Sequence, residues 1–113
     1  MAWGFAEAGA DVVISSRHED ELDSTAAEIR SGTGVRVRHF VADMTRREDV
    51  RRLANWALAE MGHVDILVNN AGSNTPQPID EILDEDWDRL VELNLNSCMA
   101  LTRSMVGPMK ERR

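Results

Sequence analysis

Three polar positions fall just past the carboxyl ends of apolar runs that could serve as strands: Ser16 with Arg17, Asp43, and Asn70 with Ala71 and Gly72. In an open α/β sheet that edge is where ligands sit. The stretch that organises the rest is Asp-Ile-Leu-Val-Asn-Asn-Ala-Gly, from Asp65 to Gly72. Ile66, Leu67 and Val68 are apolar on both faces, as a strand inside a parallel sheet must be when helices cover it above and below. Asn69 and Asn70 end the run with side chains able to bond neighbouring backbone, and Gly72 admits dihedrals that a larger residue resists. The same octapeptide also fits any core strand followed by a turn.

Other chemistries find less support. His18, His39 and His63 lie on separate segments without ligand spacing, so no metal site is expected. No nucleophile with an adjacent base can be assembled. Cys98 has no partner and reads as a small core residue, and the Met and Trp residues fall at helical spacing and read as core. Asn94 stands among Val91, Leu93 and Leu95, where a polar group should have a partner. Asn96 and Ser97 are weaker candidates beside it.

The elements that must hold these residues emerge from periodicity. Residues 1–9 read as the last turns of a helix, with Trp3, Phe5 and Ala6 able to face a sheet and Gly9 as its stop. Val12, Val13 and Ile14 form a two-sided apolar strand. Leu22, Ala26 and Ile29 mark a helix from Glu19 to about Ser31, broken by Gly32 and Gly34. Residues 35–41 alternate as a strand that Asp43 closes. Thr45 and Glu48 suggest a capping box for a helix carrying Val50, Leu53, Ala54, Ala57, Leu58 and Met61, ended by Gly62. After the strand at Ile66, the segment from Ser73 to Asp80 holds Pro76 and Pro78 and must be loop. Asp84 can cap one long helix reaching Met109, bent near Gly107-Pro108. Its apolar surface is too wide for one contact and suggests both a sheet and a subunit partner. Helices and strands alternate throughout, which predicts a parallel sheet covered on both faces.

With 113 residues the chain has room for one domain. Hydrophobic residues make up 42% and charged residues 29%, the balance of a soluble globular protein. Thirteen basic against twenty acidic residues give a net charge of −7, which argues against nucleic acid or an anionic membrane as partner. Met1 opens onto neither a basic start nor a long apolar core, and the single cysteine offers no disulfide, so the expected setting is cytoplasmic.

Asn69-Asn70-Ala71-Gly72 after a strand, Asp43 after the preceding strand, and Trp87 followed by Asn94 together resemble the short-chain dehydrogenase/reductase family over essentially the whole chain. The resemblance implies a partial NAD(P)-binding Rossmann domain over 1–113, a doubly wound parallel sheet in an α/β/α sandwich. It assigns Asp43 to the adenine amine and Met44 to the adenine ring. Asn70, Ala71 and Gly72 would line the cofactor ribose, and Asn69 would help lock neighbouring strands. Members that prefer NAD carry an acid where this chain has Ser16 followed by Arg17. A hydroxyl and a guanidinium attract a 2′-phosphate that a carboxylate repels, so NADP is favoured over NAD. Asn94 corresponds to the family's catalytic asparagine, which sits where the long helix is locally disturbed and holds a water in the proton relay. The implied partners are a small carbonyl or alcohol substrate and, through the helix at about 84–112, further subunits of a homodimer or homotetramer.

Parts of the family pattern are absent. There is no glycine-rich turn, no tyrosine, and Lys110 is the only lysine, so the catalytic relay cannot be built from these residues. In the family's strand order the missing first strand lies between those at Val12 and Ile66, leaving an unpaired slot. The chain is expected to be an internal segment of a hydride-transferring enzyme, a 3-oxoacyl-carrier-protein reductase or a sugar or polyol dehydrogenase. A truncated interaction module or an inert fragment is the alternative.

Overall fold

The computed structural model describes residues 1–113 as two compact units, 1–43 and 44–113. In the first, α1 (Ala2–Glu7) leads to β1 (Val12–Ser16), α2 (Glu19–Thr33) and β2 (Val37–Val41). The strands pair in parallel, from Val12 opposite Val37 to Ser16 opposite Val41. Val12 N–H donates to Arg36 O and Ala42 N–H to Ser16 O, carrying the pairing past both ends.

Glycines end both helices. Gly9, at φ 96°, closes α1 while its N–H reaches Ala6 O and that of Ala10 reaches Phe5 O, the paired bonds that satisfy a helix's last carbonyls. Gly34, at φ 73°, closes α2. Gly32, expected to break the chain, instead lies inside α2 beneath the Trp3 ring. A Cβ there would come within 2.7 Å of Trp3 Cζ3, so the missing side chain is what lets α1 approach. Trp3 thus lies on α2 and is partly exposed.

Ala6, Ala26, Ile29 and Val37 form the buried cluster of this unit, with Ala2, Val12, Ile14 and Val35 against it. Fully burying a side chain such as Ile29 contributes about 2–3 kcal/mol. Polar contacts fix the crossover. Asp11 accepts from the Arg36 N–H at 3.0 Å, Ser15 Oγ donates to Phe40 O at 2.7 Å, and His39 Nε2 lies 3.1 Å from Asp23.

In the second unit, α3 (Arg47–Met61) packs on α5 (Ser97–Arg112). The buried stripe of Val50, Leu53, Ala54 and Ala57 is the one the periodicity predicts, and Leu101 and Met105 are its buried counterparts on α5. Gly62 ends α3 at φ 79°. The N-cap is Arg46 rather than Thr45, without a side-chain cap bond of its own, and Glu48 pairs with Arg51 at 2.6 Å.

Three further expectations are corrected. Ile66–Val68 joins no ladder, and the only sheet is the two-stranded one of β1 and β2. Without neighbours to supply hydrogen bonds, a strand-forming sequence stays irregular; Ile66 remains 61% exposed and Val68 41%. The last helix starts from Leu83 rather than Asp84 at the N-cap, and it carries a disturbance where the resemblance places one, at Asn94: α4 (Asp84–Val91) passes through a π-helical turn (Glu92–Asn96) into α5. Several aromatic and Met residues read as core, Trp87 and Met99 among them, lie exposed, while Met105 is buried. The proline segment is irregular, as its composition predicts, and α5 runs through Pro108 to Arg112.

Candidate functional site

The candidate residues divide between the two units. In the first, Ser16 ends β1 and its Oγ accepts the His18 N–H at 3.2 Å, leaving the hydroxyl proton free to donate. Arg17 follows on an exposed turn and makes no ion pair. Asp43, half-buried, lies two residues beyond β2.

In the second unit Met44 is half-buried before α3, and the remaining candidates cluster around one side-chain amide. Asn94 sits at the centre of the π turn. Its Nδ2 donates to Ser73 O at 3.0 Å and to Leu90 O at 2.9 Å, while its Oδ1 accepts the Ser73 N–H at 3.1 Å. The amide therefore pairs with Ser73 as a second peptide group would. The apolar neighbours do not bury it, since Asn94 is exposed and Leu95 beside it is 65% exposed; the partners it finds are backbone groups rather than another side chain.

This lock explains Gly72 differently from its sequence reading. Gly72 has no positive φ, so conformational freedom is not what the position demands. A Cβ at residue 72 would lie 2.8 Å from Asn94 Oδ1, closer than real Cβ atoms approach other heavy atoms. Glycine is required there because a side-chain amide occupies the space.

Asn69 secures the other end of the same loop. Its Nδ2 donates to Thr102 Oγ1 on α5 at 3.0 Å, so the contact is with a helix and not with neighbouring strands. A weaker bond from Arg89 to Thr75 Oγ1, at 3.4 Å, tethers the chain beyond. Asn70, Ala71 and Gly72 span the two anchors, exposed, with backbone groups that no other part of the chain takes up. Such a stretch can meet a polar ligand through N–H and C=O groups without rearranging.

The π turn carries its own compensations. The Ser97 N–H bonds Glu92 O, five residues back, and Ser97 Oγ then donates to Leu93 O at 2.6 Å. Ser97 is buried, so the hydroxyl supplies a bond that water cannot. Cys98 is half-buried and reaches Asn94 O only at 3.6 Å. Glu92 accepts from Arg47 at 2.9 Å and from Asn96 at 2.7 Å. Those bonds, together with the charge of Arg47, hold its carboxyl below the usual carboxylate range. The Arg47 guanidinium is correspondingly raised by the same contact. Sequence reading missed Arg47, Glu92, Thr102 and Ser73. Only Glu92 and Asn96, four apart on a helix, left a signal.

The model of the short chain dehydrogenase family matches residues 1–113. The chain belongs to the short-chain dehydrogenase family. It is 44% identical over 97 residues, 85% of its length, to an indene-carboxyl-CoA reductase of Mycobacterium tuberculosis, of which it covers 37%. It is 32% identical over 113 residues, 99% of its length, to the D-beta-hydroxybutyrate dehydrogenase of Cupriavidus necator, of which it covers 43%. Among solved structures, the L-sorbose reductase of Gluconobacter frateurii, complexed with NADPH and L-sorbose, superposes with a TM-score of 0.95 at 35% identity. That match covers 98% of this chain and 42% of the reductase. The chain thus spans about two fifths of the length of these short-chain dehydrogenases. Its partial Rossmann-like α/β architecture is theirs, and its relatives are oxidoreductases. No helix is long and apolar enough to cross a membrane.

Proposed function

We propose that this chain is the cofactor-recognition segment of an NADP-dependent oxidoreductase that transfers hydride between the nicotinamide and a carbonyl or secondary alcohol. The observation that carries the reading is the Asn94 lock, which holds Ser73 and leaves Asn70, Ala71 and Gly72 presenting free backbone groups. Those groups suit the hydroxyls of a ribose. Arg17, exposed and unpaired beside the Ser16 hydroxyl, suits a phosphate that a carboxylate would repel. Asp43 would accept from the adenine amine and Met44 would cover the ring. The cofactor, when bound, supplies or takes the hydride.

Asn94 has both side-chain functions committed to protein, so its role in the proton relay is to hold the helix and loop in register for a water. With no tyrosine in the chain, the group that exchanges the hydroxyl proton comes from outside these 113 residues. The relatives' names support a small carbonyl or alcohol substrate, and both a 3-oxoacyl-carrier-protein reductase and a sugar or polyol dehydrogenase fit. A cytoplasmic setting and a homodimer or homotetramer through the helix at 84–112 complete the reading. The exposed Trp87, Leu95, Met99 and Val106 also favour a second one, a non-catalytic chain that pairs with other subunits.

The test is turnover by the full-length protein with ketoses, 3-oxoacyl thioesters and simple ketones. Oxidation of NADPH faster than NADH is the expected result, and no turnover of either nucleotide contradicts it. For the second reading, the 113-residue chain must unfold cooperatively as a stable oligomer; aggregation without a transition sinks it.

A further inference from the structure

The π turn that carries Asn94 is gripped from outside. Arg47, the first residue of α3, places Nε 2.9 Å from Glu92 Oε1 and Nη2 3.5 Å from Oε2. The same Oε2 accepts from Asn96 Nδ2 at 2.7 Å. Glu92 opens the turn and Asn96 closes it, so one carboxylate ties both ends together and to a second helix. From this geometry we infer that Arg47 and Glu92 are positioning residues for Asn94, fixing the turn in its π register so that the amide meets Ser73.

The alternative to that register is an ordinary helix. Removing one residue from the turn would rotate the remainder of the helix by about 100°, carrying the Asn94 amide away from Ser73 or α5 away from its packing on α3. Side-chain exposure points to position rather than stability. Glu92 is 22% exposed but Arg47 is 62% exposed, and a pair so open to water stabilises a fold little. What it retains is direction, because a guanidinium fork fits a carboxylate in few orientations.

The inference rests on the proposed part of Asn94 in the relay, so the test separates the two. In the full-length oxidoreductase, Arg47→Ala, Glu92→Gln and the reversal Arg47→Glu with Glu92→Arg are compared with Asn94→Ala. Each single change should lower kcat roughly 10-fold, with KM for carbonyl and cofactor within about twofold. The melting temperature should stay within about 2 °C of the parent. The reversal should regain much of the lost kcat, and hydrogen exchange at amides 93–98 should rise in the single variants and fall again in the reversal. Activity unchanged in Arg47→Ala and Glu92→Gln while Asn94→Ala is impaired overturns the positioning role alone. A kcat loss that tracks a loss of melting temperature, with no recovery on reversal, overturns it too. Full activity in Asn94→Ala removes the relay reading, and with it any catalytic consequence of the grip.

Discussion

Gly72 and Asn94 approach so closely that a methyl group at position 72 would lie 2.8 Å from the Asn94 Oδ1. That atom is occupied in accepting the Ser73 N–H, so it cannot move aside without breaking the lock. Gly72→Ala should therefore destabilise the full-length protein by about 1–3 kcal/mol, the usual cost of overpacking. Denaturant unfolding measures this, and an unchanged midpoint would show that the loop gives way at no cost. Asn94→Ala, combined with Gly72→Ala, should remove most of the penalty.

The Asn94 amide donates to two carbonyl oxygens, those of Ser73 and Leu90. Asn94→Asp replaces the donor by a second acceptor and sets a carboxylate against both. It should cost more stability than Asn94→Ala, by about 1–3 kcal/mol. Parallel thermal melts of the two variants decide the order. Equal losses would mean that the amide's orientation is immaterial.

Glu92 titrates below its ordinary range because Arg47 and Asn96 bond its charged form. A carboxylate whose folded-state pKa is depressed contributes stability above its unfolded pKa and loses it as pH falls through the folded value. The difference in stability between the parent and Glu92→Gln should thus be constant near neutrality and shrink in acid, below the usual carboxylate range. The effect is modest, since Arg47 is largely solvated. Urea midpoints across pH test it, and a difference that grows as pH falls would contradict it.

Gly32 and Gly34 stand two residues apart and serve different ends. Gly34 has φ 73°, where a side chain is strained, whereas Gly32 lies beneath the Trp3 ring. Alanine at either should cost about 1 kcal/mol or more. Only at Gly32 should Trp3→Ala reduce the cost, because only there is the obstacle a ring. A double-mutant cycle on melting free energies reads the coupling, and equal coupling at both positions would refute the distinction.

Where a pattern depends on local packing, the sequence was sufficient. Leu22, Ala26 and Ile29, or Val50, Leu53, Ala54 and Ala57, are buried because their spacing presents one face of a helix to its neighbour. Gly9, Gly34 and Gly62 end helices because their φ values are positive. Where the outcome depends on distant partners, sequence failed. Ile66–Val68 has strand composition, yet a strand exists only when another supplies its hydrogen bonds. The π turn left no periodic signal, since one added residue shifts the phase without changing composition. The residue types of the candidate site were legible as a motif. Their geometry was not: the reason for Gly72 lies twenty-two residues away in Asn94, and Asn69 turned to Thr102. Arg47, forty-five residues from Glu92, could not have been paired with it from sequence.

The central claim is that this segment selects the phosphorylated nicotinamide cofactor, and Arg17 tests it most directly. In the full-length protein, the ratio of kcat/KM for NADP(H) to that for NAD(H) is measured for the parent and for Arg17→Asp. Replacing an exposed, unpaired guanidinium by a carboxylate exchanges attraction of a 2′-phosphate for repulsion. The ratio should fall by roughly 10- to 100-fold, mainly through KM for the phosphorylated cofactor, with the unphosphorylated one little affected. A ratio that does not change would contradict the assignment of Arg17 and the cofactor preference drawn from it.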